Sequence, residues 1–355
     1  MSTIEIESTS AQVPRIIRPI RSFVRLAALM GILFICLLAI WVYSNMWISQ
    51  RQLDLYVQEV TSIGGRIATK PCSEPGFRSL YGLTEVNTLT LANARVPAGW
   101  YSRLTQFPEV RTLDLANTNF DDRDAQAFLS LRRLTWINLS KTRITNQSLS
   151  SFKLIPSLQG LELENTKIDD LGMPAIAACP ELQWLNLDET LITNLGLEAI
   201  GRMPYLKSLS LNKTSIGDEG IEQIQGFEEL EWLYLNSTQV TDQSLITIAN
   251  FSRLRGLELQ DTHVTGEGLV GIAGLENLEW LNLKRTSVGQ PGLESLTQLP
   301  NLQKLNLRNT PIGSESTETL ASMSTLTWLD LSGTKVNYKD VQQLRERLPK
   351  CDVKW

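Results

Sequence analysis

From Val86 to about residue 350 the sequence restarts every 24 positions without an insertion, and that periodicity limits the fold more than any other feature of the chain. The restarts fall at Val86, Val110, Leu134, Leu158, Leu182, Leu206, Leu230, Leu254, Leu278, Leu302 and Leu326, which makes eleven units. Each unit reads L-x-x-L-x-L-x-x-T-x-I, then a polar turn, then three apolar residues spaced by three. The third apolar position is Leu in all eleven units, from Leu91 through Leu187 to Leu331. The L-x-L segment alternates, as a strand with one inward face must. The later trio, such as Leu149, Phe152 and Ile155, suits a short helical turn facing the same core. Asp169-Asp170, Thr193-Asn194, Gly217-Asp218 and Thr241-Asp242 precede such trios as helix starters. One unit has a single apolar face and cannot bury it alone, so the units must stack in register. The predicted fold is an α/β solenoid with a parallel sheet on its concave side and short helices on its convex side.

This pattern resembles the leucine-rich-repeat family over residues 86 to about 350, with 24-residue units of the internalin-like and ribonuclease-inhibitor-like kind. The resemblance implies a horseshoe whose exposed concave strand positions form the usual contact surface. In the family, the position occupied here by Thr in ten units, Thr118 to Thr334, and by Ala94 in the first, carries Asn or Cys that bonds the backbone of adjacent turns. A threonine hydroxyl both donates and accepts, so a threonine ladder is expected to do the same work. Within the family the chain is most similar to bacterial membrane-anchored repeat proteins. They place a basic and then apolar N-terminus before a QR…GG segment and end on an L-P-x-C-x-V-like strand. Here these read Gln50-Arg51 through Gly64-Gly65, and Leu348-Pro349-Lys350-Cys351-Asp352-Val353.

The N-terminus reads as an anchor. From Leu26 to Gln50 there are 25 residues without a charge, long enough to cross a bilayer core of about 30 Å. Arg15, Arg18, Arg21 and Arg25 precede the run and only Arg51 follows it closely, so the N-terminus is expected to stay cytoplasmic and the repeats to be exported. No small-x-small cleavage site follows, which favours a signal anchor over a cleaved peptide. Leu53, Tyr56, Val57, Val60 and Ile63 then recur at helical spacing, with Gly64-Gly65 as a stop. Phe77, Leu80 and Leu83 fit the helical half of a degenerate capping unit. The expected organisation is a cytoplasmic tail at 1–22, a transmembrane signal anchor at 23–47, a juxtamembrane helix and cap at 48–85, repeats at 86–349 and a capping strand at 350–355.

One feature of the repeats is not required by the fold. The residue before the second core Leu of a unit is Trp136, Trp184, Trp232, Trp280 and Trp328 in every second unit, with Gly160, Ser208, Gly256 and Lys304 between them. The true period is therefore 48. Strands about 4.8 Å apart would bring an indole round every ~9.6 Å. Two readings stand side by side. Large and small residues alternate so that rings pack on their neighbours, or the rings form an exposed ridge that grips a ligand. Tyr234 stands beside Trp232, and Asn138, Asn186, Asn282 and Asn306 would add hydrogen-bonding tips. Glu162, Glu164, Asp188 and Glu189 form an acidic block, and Lys284, Arg285, Lys304 and Arg308 a basic one.

These residues imply a protein that recognises or scaffolds another protein at the cell envelope. The alternatives are a glycan-binding module, for which the tryptophans argue, and a structural surface array. Enzymatic function is not expected, because His263 is the only histidine and no phosphate loop or nucleophile elbow occurs. The same count disfavours His-based metal sites. Cys36, Cys72, Cys179 and Cys351 have neither disulfide-framework nor zinc spacing, so no cofactor is expected. A net charge of −5 gives no basic surface for nucleic acid. The expected partners are an unidentified protein, replaced by a glycan in the alternative reading, and the lipid bilayer through the anchor.

Overall fold

In the computed structural model the described residues are 34, 35, 37, 51–71 and 84–355. The chain divides into two compact units, one of Met1–Gln58 with Glu74–Leu83, the other of Glu59–Ser73 with Thr84–Trp355. In the first, Phe34, Ile35 and Leu37 are helical and exposed, and residues 51–58 are helical. The expected tail at 1–22, most of the anchor at 23–47, and the cap residues Phe77, Leu80 and Leu83 lie outside the described residues. Among the described residues no helix is long and apolar enough to cross a membrane.

The second unit is a solenoid of stacked 24-residue turns. Its helical residues 59–62 end where the Gly65 N–H bonds the Val60 carbonyl at 2.8 Å and Gly64 takes φ 88°, a left-handed conformation that glycine reaches without strain. The strand Arg66–Pro71 follows and pairs antiparallel with Thr84–Thr90, from Arg66 opposite Thr90 to Pro71 opposite Thr84. The start of the sheet is therefore closed by a reversed strand, which occupies the backbone groups that a first parallel strand would leave open. From there the strands run in chain order to form one sheet of thirteen, parallel from Thr84–Thr90 onwards. At the far end Asp352–Lys354 pairs with Trp328–Asp330, and Arg345 Nη2 donates to the Val353 carbonyl at 2.9 Å. Trp355 Nε1 donates to Val336 O at 2.8 Å and its ring lies 6.1 Å from that of Tyr338, covering the last core layer.

The alternation of each strand has its expected cause. Leu89, Leu113, Ile137, Leu161 and their equivalents face inward and are almost wholly buried, while the residues on either side face outward. The helical layer begins as 3-10 turns, Trp100–Gln106 and Ala125–Ser130, and becomes α-helical in later units, as at Asn194–Ile200 and Asp242–Ile248. The early turns accompany an aromatic column in the core. The rings of Tyr101 and Phe120 are 4.8 Å apart, Phe120 and Phe128 5.2 Å, and Phe128 and Phe152 5.7 Å. Tyr101 donates its hydroxyl to Asn119 Oδ1 at 3.0 Å, and burial pushes its pKa up to about 12.

The threonine position works differently from the expected ladder. All ten threonines donate to the carbonyl of the Leu three residues earlier in their own unit, at 2.6–2.7 Å, as in Thr214 to Leu211 and Thr334 to Leu331. The hydroxyl sits directly on Cβ and is too short to span the gap to the next turn, which a carboxamide would reach. The bond closes a tight turn through the preceding residue. That residue is left-handed in every unit: φ is 52–61° at ten non-glycine positions from Asn93 to Asn309, and 73° at Gly333. Units are joined instead by backbone bonds such as Leu211 N to Tyr234 O at 2.9 Å and Lys213 N to Asn236 O at 2.8 Å.

A second link between units lies at the helix starts. Thr145, Asp169, Thr193 and Thr241 cap their own helices through the N–H two residues on. The residue after the cap position reaches across to the next unit. Asp170 accepts from Thr193 N at 2.8 Å and Thr193 Oγ1 at 2.7 Å, and Asp218 accepts from Thr241 N, Thr241 Oγ1, Ser244 N and Ser244 Oγ. Of each Asp-Asp or Thr-Asp pair, one residue caps and one clamps. Four donors on one carboxylate outweigh the burial that would raise the Asp218 pKa, so it falls below 3.8.

Candidate functional site

The strand register puts Trp136, Gly160, Trp184, Ser208, Trp232, Gly256, Trp280, Lys304 and Trp328 side by side in one outward line. The tryptophans alternate along it with Gly160, Ser208, Gly256 and Lys304, and the two glycines are required. A Cβ on Gly256 would stand 2.0 Å from Cε3 of Trp232, and one on Gly160 2.0 Å from Cε3 of Trp136. Both rings therefore lie flat on the backbone of the next strand.

The tryptophans form three clusters rather than an even ridge. Trp136 and Trp184 meet across Gly160 with centroids 5.7 Å apart and planes at 48°. Trp232 stacks on Tyr234 of its own strand at 6.3 Å and 16°. Trp280 and Trp328 stack at 5.5 Å and 20°, with Lys304 Nζ 5.7 Å from the Trp280 centroid. Trp280 Nε1 also donates to Glu258 Oε1 at 2.6 Å. The packing and exposure readings thus apply to the same residues. Trp184 is 37% exposed, and Trp136, Trp232, Trp280, Trp328 and Tyr234 are partly buried.

The asparagines beside this line have a local role. Asn138, Asn186, Asn282 and Asn306 each accept the backbone N–H two residues further on, at 2.9–3.1 Å, as do Asp114 at 3.1 Å and Asp330 at 2.8 Å. Their oxygens end the strand in an Asx turn and are not free as ligand-binding tips.

At the centre of the sheet this arrangement changes. The residue at the Asn position is Ser210, Tyr234 or Glu258, none of which makes that turn. The N–H is taken instead by a side chain from the preceding unit: Asn212 N by Asp188 at 2.7 Å, Asn236 N by Asn212 at 2.7 Å, and Gln260 N by Asn236 at 2.8 Å. The inter-unit chain Asp188–Asn212–Asn236–Gln260 relieves three positions of their turn-forming duty and lets the Tyr234 ring stand on the face. Burial raises the Tyr234 pKa, with the nearby Glu258 and Asp188 charges adding to it. Sequence reasoning missed this exchange, although Asn212 and Asn236 carry it visibly two residues beyond the missing Asn.

The charges segregate along the face. Burial raises the pKa of Glu162 and of Asp188, and neighbouring carboxylates add to both shifts. The flanking acids are neutralised, Glu164 by Lys141 at 2.9 Å and Glu189 by Lys213 at 2.5 Å. Of the basic block, Arg285 pairs with Asp261 at 2.7 Å, whereas among the described residues Lys284, Lys304 and Arg308 form no ion pair.

The family model for leucine rich repeats matches residues 108–168 and 180–240. No curated protein matches the chain in sequence. Among solved structures, an internalin from Listeria monocytogenes str. 4b F2365 aligns with TM-score 0.55 and 20% identity over 76% of this chain and 86% of its own. A TDR receptor aligns with TM-score 0.50 and 16% identity over 72% of this chain and 49% of its own. A plant peptide hormone receptor, solved in complex with RGF2, aligns with TM-score 0.48 and 17% identity over 75% of this chain and 47% of its own. This chain spans about half the length of the two receptors. At these identities the likeness is one of fold.

Proposed function

Since this chain is a leucine-rich-repeat protein, we propose that it binds a protein ligand through the outward face of its sheet while its N-terminal apolar segment holds it in a membrane. The observation that carries the reading is the change of turn scheme at Asn212 and Asn236, which places Tyr234 beside Trp232 in mid-face. The replacement bonds, at 2.7–2.8 Å, satisfy the same N–H groups and leave the position open to an aromatic side chain. Aromatic anchors at the centre of a patch, ringed by polar groups, are the composition of protein-binding hot spots.

A glycan platform is the weaker reading. Sugar C–H groups need open ring faces, and here Trp280 and Trp328 stack on each other while Trp136 and Trp232 each give one face to a glycine. The function is read as binding rather than catalysis, because the hydroxyl–carboxylate contact on the face, Ser210 Oγ to Asp188 at 2.5 Å, belongs to the Asn212 chain that holds the turns.

The anchor rests on the sequence: 25 uncharged residues from Leu26 to Gln50 behind four arginines support a span with the repeats outside the cytoplasm. A reporter fused after Trp355 would be active on the exported side; activity in the cytoplasm would reject this topology. Binding is tested by capture on the full chain in detergent. Trp184→Ala combined with Trp232→Ala should release the captured protein, and Leu195→Ala on the helical layer should retain it. Equal capture by both variants would reject the sheet face as the binding surface.

A further inference from the structure

The order of charges along the line two residues beyond the strands is self-complementary, and we infer that the partner of this face is a second copy of the same chain, packed about a two-fold axis parallel to the strand Trp232–Tyr234. The inference rests on the binding reading above and specifies its occupant.

The line two residues beyond the strands holds Glu164 and Asp188, then Asn212, Asn236 and Gln260, then Lys284 and Arg308. Acids precede amides and amides precede bases, and the order is centred. Glu164 and Arg308 each lie three units from Asn236, and Asp188 and Lys284 each lie two units from it. The tryptophan line has the same centre. Trp184 and Trp280 stand two units either side of Trp232, and Trp136 and Trp328 stand four units either side. Because the strands are parallel and in register, equal sequence offsets are equal distances along the sheet.

Two such faces can meet about a dyad parallel to the strands. That operation reverses the order of units and keeps each line opposite itself. Glu164 then faces Arg308 of the second copy, Asp188 faces Lys284, and the reciprocal pairs form by symmetry. Trp232, Tyr234 and Asn236 meet their own counterparts on the axis. A dyad along the solenoid instead would set Glu164 against Glu164 and Arg308 against Arg308, so the charge order of this line selects one arrangement, while on the adjoining line Arg255 is taken up by Glu231 and Glu279 of its own chain. The bases are available for it: among the described residues neither Lys284 nor Arg308 has an ion-pair partner in its own chain. Asp188 is held by Ser210 and Asn212, and Glu164, paired with Lys141 in its own chain and near Lys213, would share its charge with Arg308 of the second copy. The patch extends over eight strand steps, about 38 Å, from Trp136 to Trp328 and over four residue steps, about 13 Å, from Trp232 to Asn236, which is the size of a weak or transient interface.

The test uses the full chain in detergent, with self-association followed by energy transfer between separately labelled copies. The unaltered chain should self-associate. Glu164→Arg alone and Arg308→Glu alone each place like charges together at two symmetric contacts and should weaken association roughly 100-fold. An equimolar mixture of the two variants should restore it, as should one chain carrying both changes. Thermal melting of each variant checks its fold, and Lys284→Glu replaces Glu164→Arg if the latter melts early. A monomeric unaltered chain at up to about 100 µM would overturn self-pairing, since even a transient interface of this size should associate at that concentration. So would well-folded single variants whose mixture fails to regain association. If the chain is monomeric but its sheet tryptophans are shielded in native membranes, the face binds a different protein and only the self-pairing fails.

Discussion

Replacing Gly256 by Ala tests whether Trp232 is held by the sheet or merely stands on it. The added Cβ would lie 2.0 Å from Cε3 and 2.2 Å from Cζ3 of the indole, so the ring must lift away. A tryptophan buries roughly 150–250 Å². If a third of that is the face over Gly256, about 65 Å² at about 25 cal/mol per Å² gives roughly 1.5 kcal/mol. Disturbing the stack on Tyr234 adds about 0.5–1.5 kcal/mol. Against this, Ala is favoured over Gly inside a strand by roughly 0.5–1 kcal/mol. Gly256→Ala should therefore cost about 1–2 kcal/mol with Trp232 present. With Trp232→Ala in place the clash is gone, and the same change should stabilise by roughly 0.5–1 kcal/mol. The coupling, about 2 kcal/mol, is read from denaturant midpoints of the four proteins in a double-mutant cycle. Gly274→Ala, where an added Cβ meets nothing within 4 Å, should change little and serves as the control. A Gly256→Ala cost that is unchanged when Trp232 is removed would refute this account of the alternation.

Two further perturbations follow from the links between units. Asp218→Asn leaves donors of Thr241 and Ser244 unmatched and should cost about 1–3 kcal/mol at neutral pH. Because the folded pKa of Asp218 lies below 3.8, its contribution is present at neutral pH and is lost as pH falls through that depressed value; midpoints measured from about pH 7 to pH 3 should show this acid limb weakened in the variant. Asp188 has the opposite sign. Burial raises its folded pKa, so the charged form costs stability at neutral pH and the cost is relieved as pH falls through the raised value. Asp188→Asn should abolish that relief and cost less at neutral pH than Asp218→Asn; equal losses would contradict both assignments. The alternation also governs deletions. Removing residues 206–253, two whole units, brings Trp184 beside Gly256 and should preserve cooperative melting. Removing 206–229 alone sets Trp184 and Trp232 on strands about 4.8 Å apart and should melt earlier. A one-unit deletion as stable as the two-unit one would show that the ring spacing has no structural weight.

The solenoid was legible because its cause is periodic. A leucine at the same place in every unit, with strand spacing and then helical spacing around it, leaves one way to bury the apolar face. The outward tryptophan line followed from the same register. What escaped the sequence depended on reach and on neighbours. Thr214 looks able to bridge two turns until the length of its side chain confines it to Leu211. Asn138 and Asn186 look like free polar tips until the backbone N–H two residues on claims their oxygens. The clamp made by Asp218 joins residues 23 and 26 positions apart, and a pattern of single units does not display it. The strand Arg66–Pro71 is reversed relative to all the others, and no repeat signal marks it. At the site, the tryptophans were evident, but their division into three clusters depends on ring tilts that spacing cannot give.

Oxidative footprinting of the tryptophans, in native membranes and on the purified full chain, tests the central claim most directly. Trp184 is 37% exposed on the sheet face, and Trp355 is 53% exposed at the C-terminal edge, away from the tryptophan line. Hydroxyl-radical labelling of the dilute purified chain should oxidise both. In the membrane, with its ligand present, Trp184 should be protected several-fold while Trp355 reacts as before. Equal oxidation of Trp184 in both settings would mean that nothing covers the face, and would contradict the reading of this sheet as a binding surface.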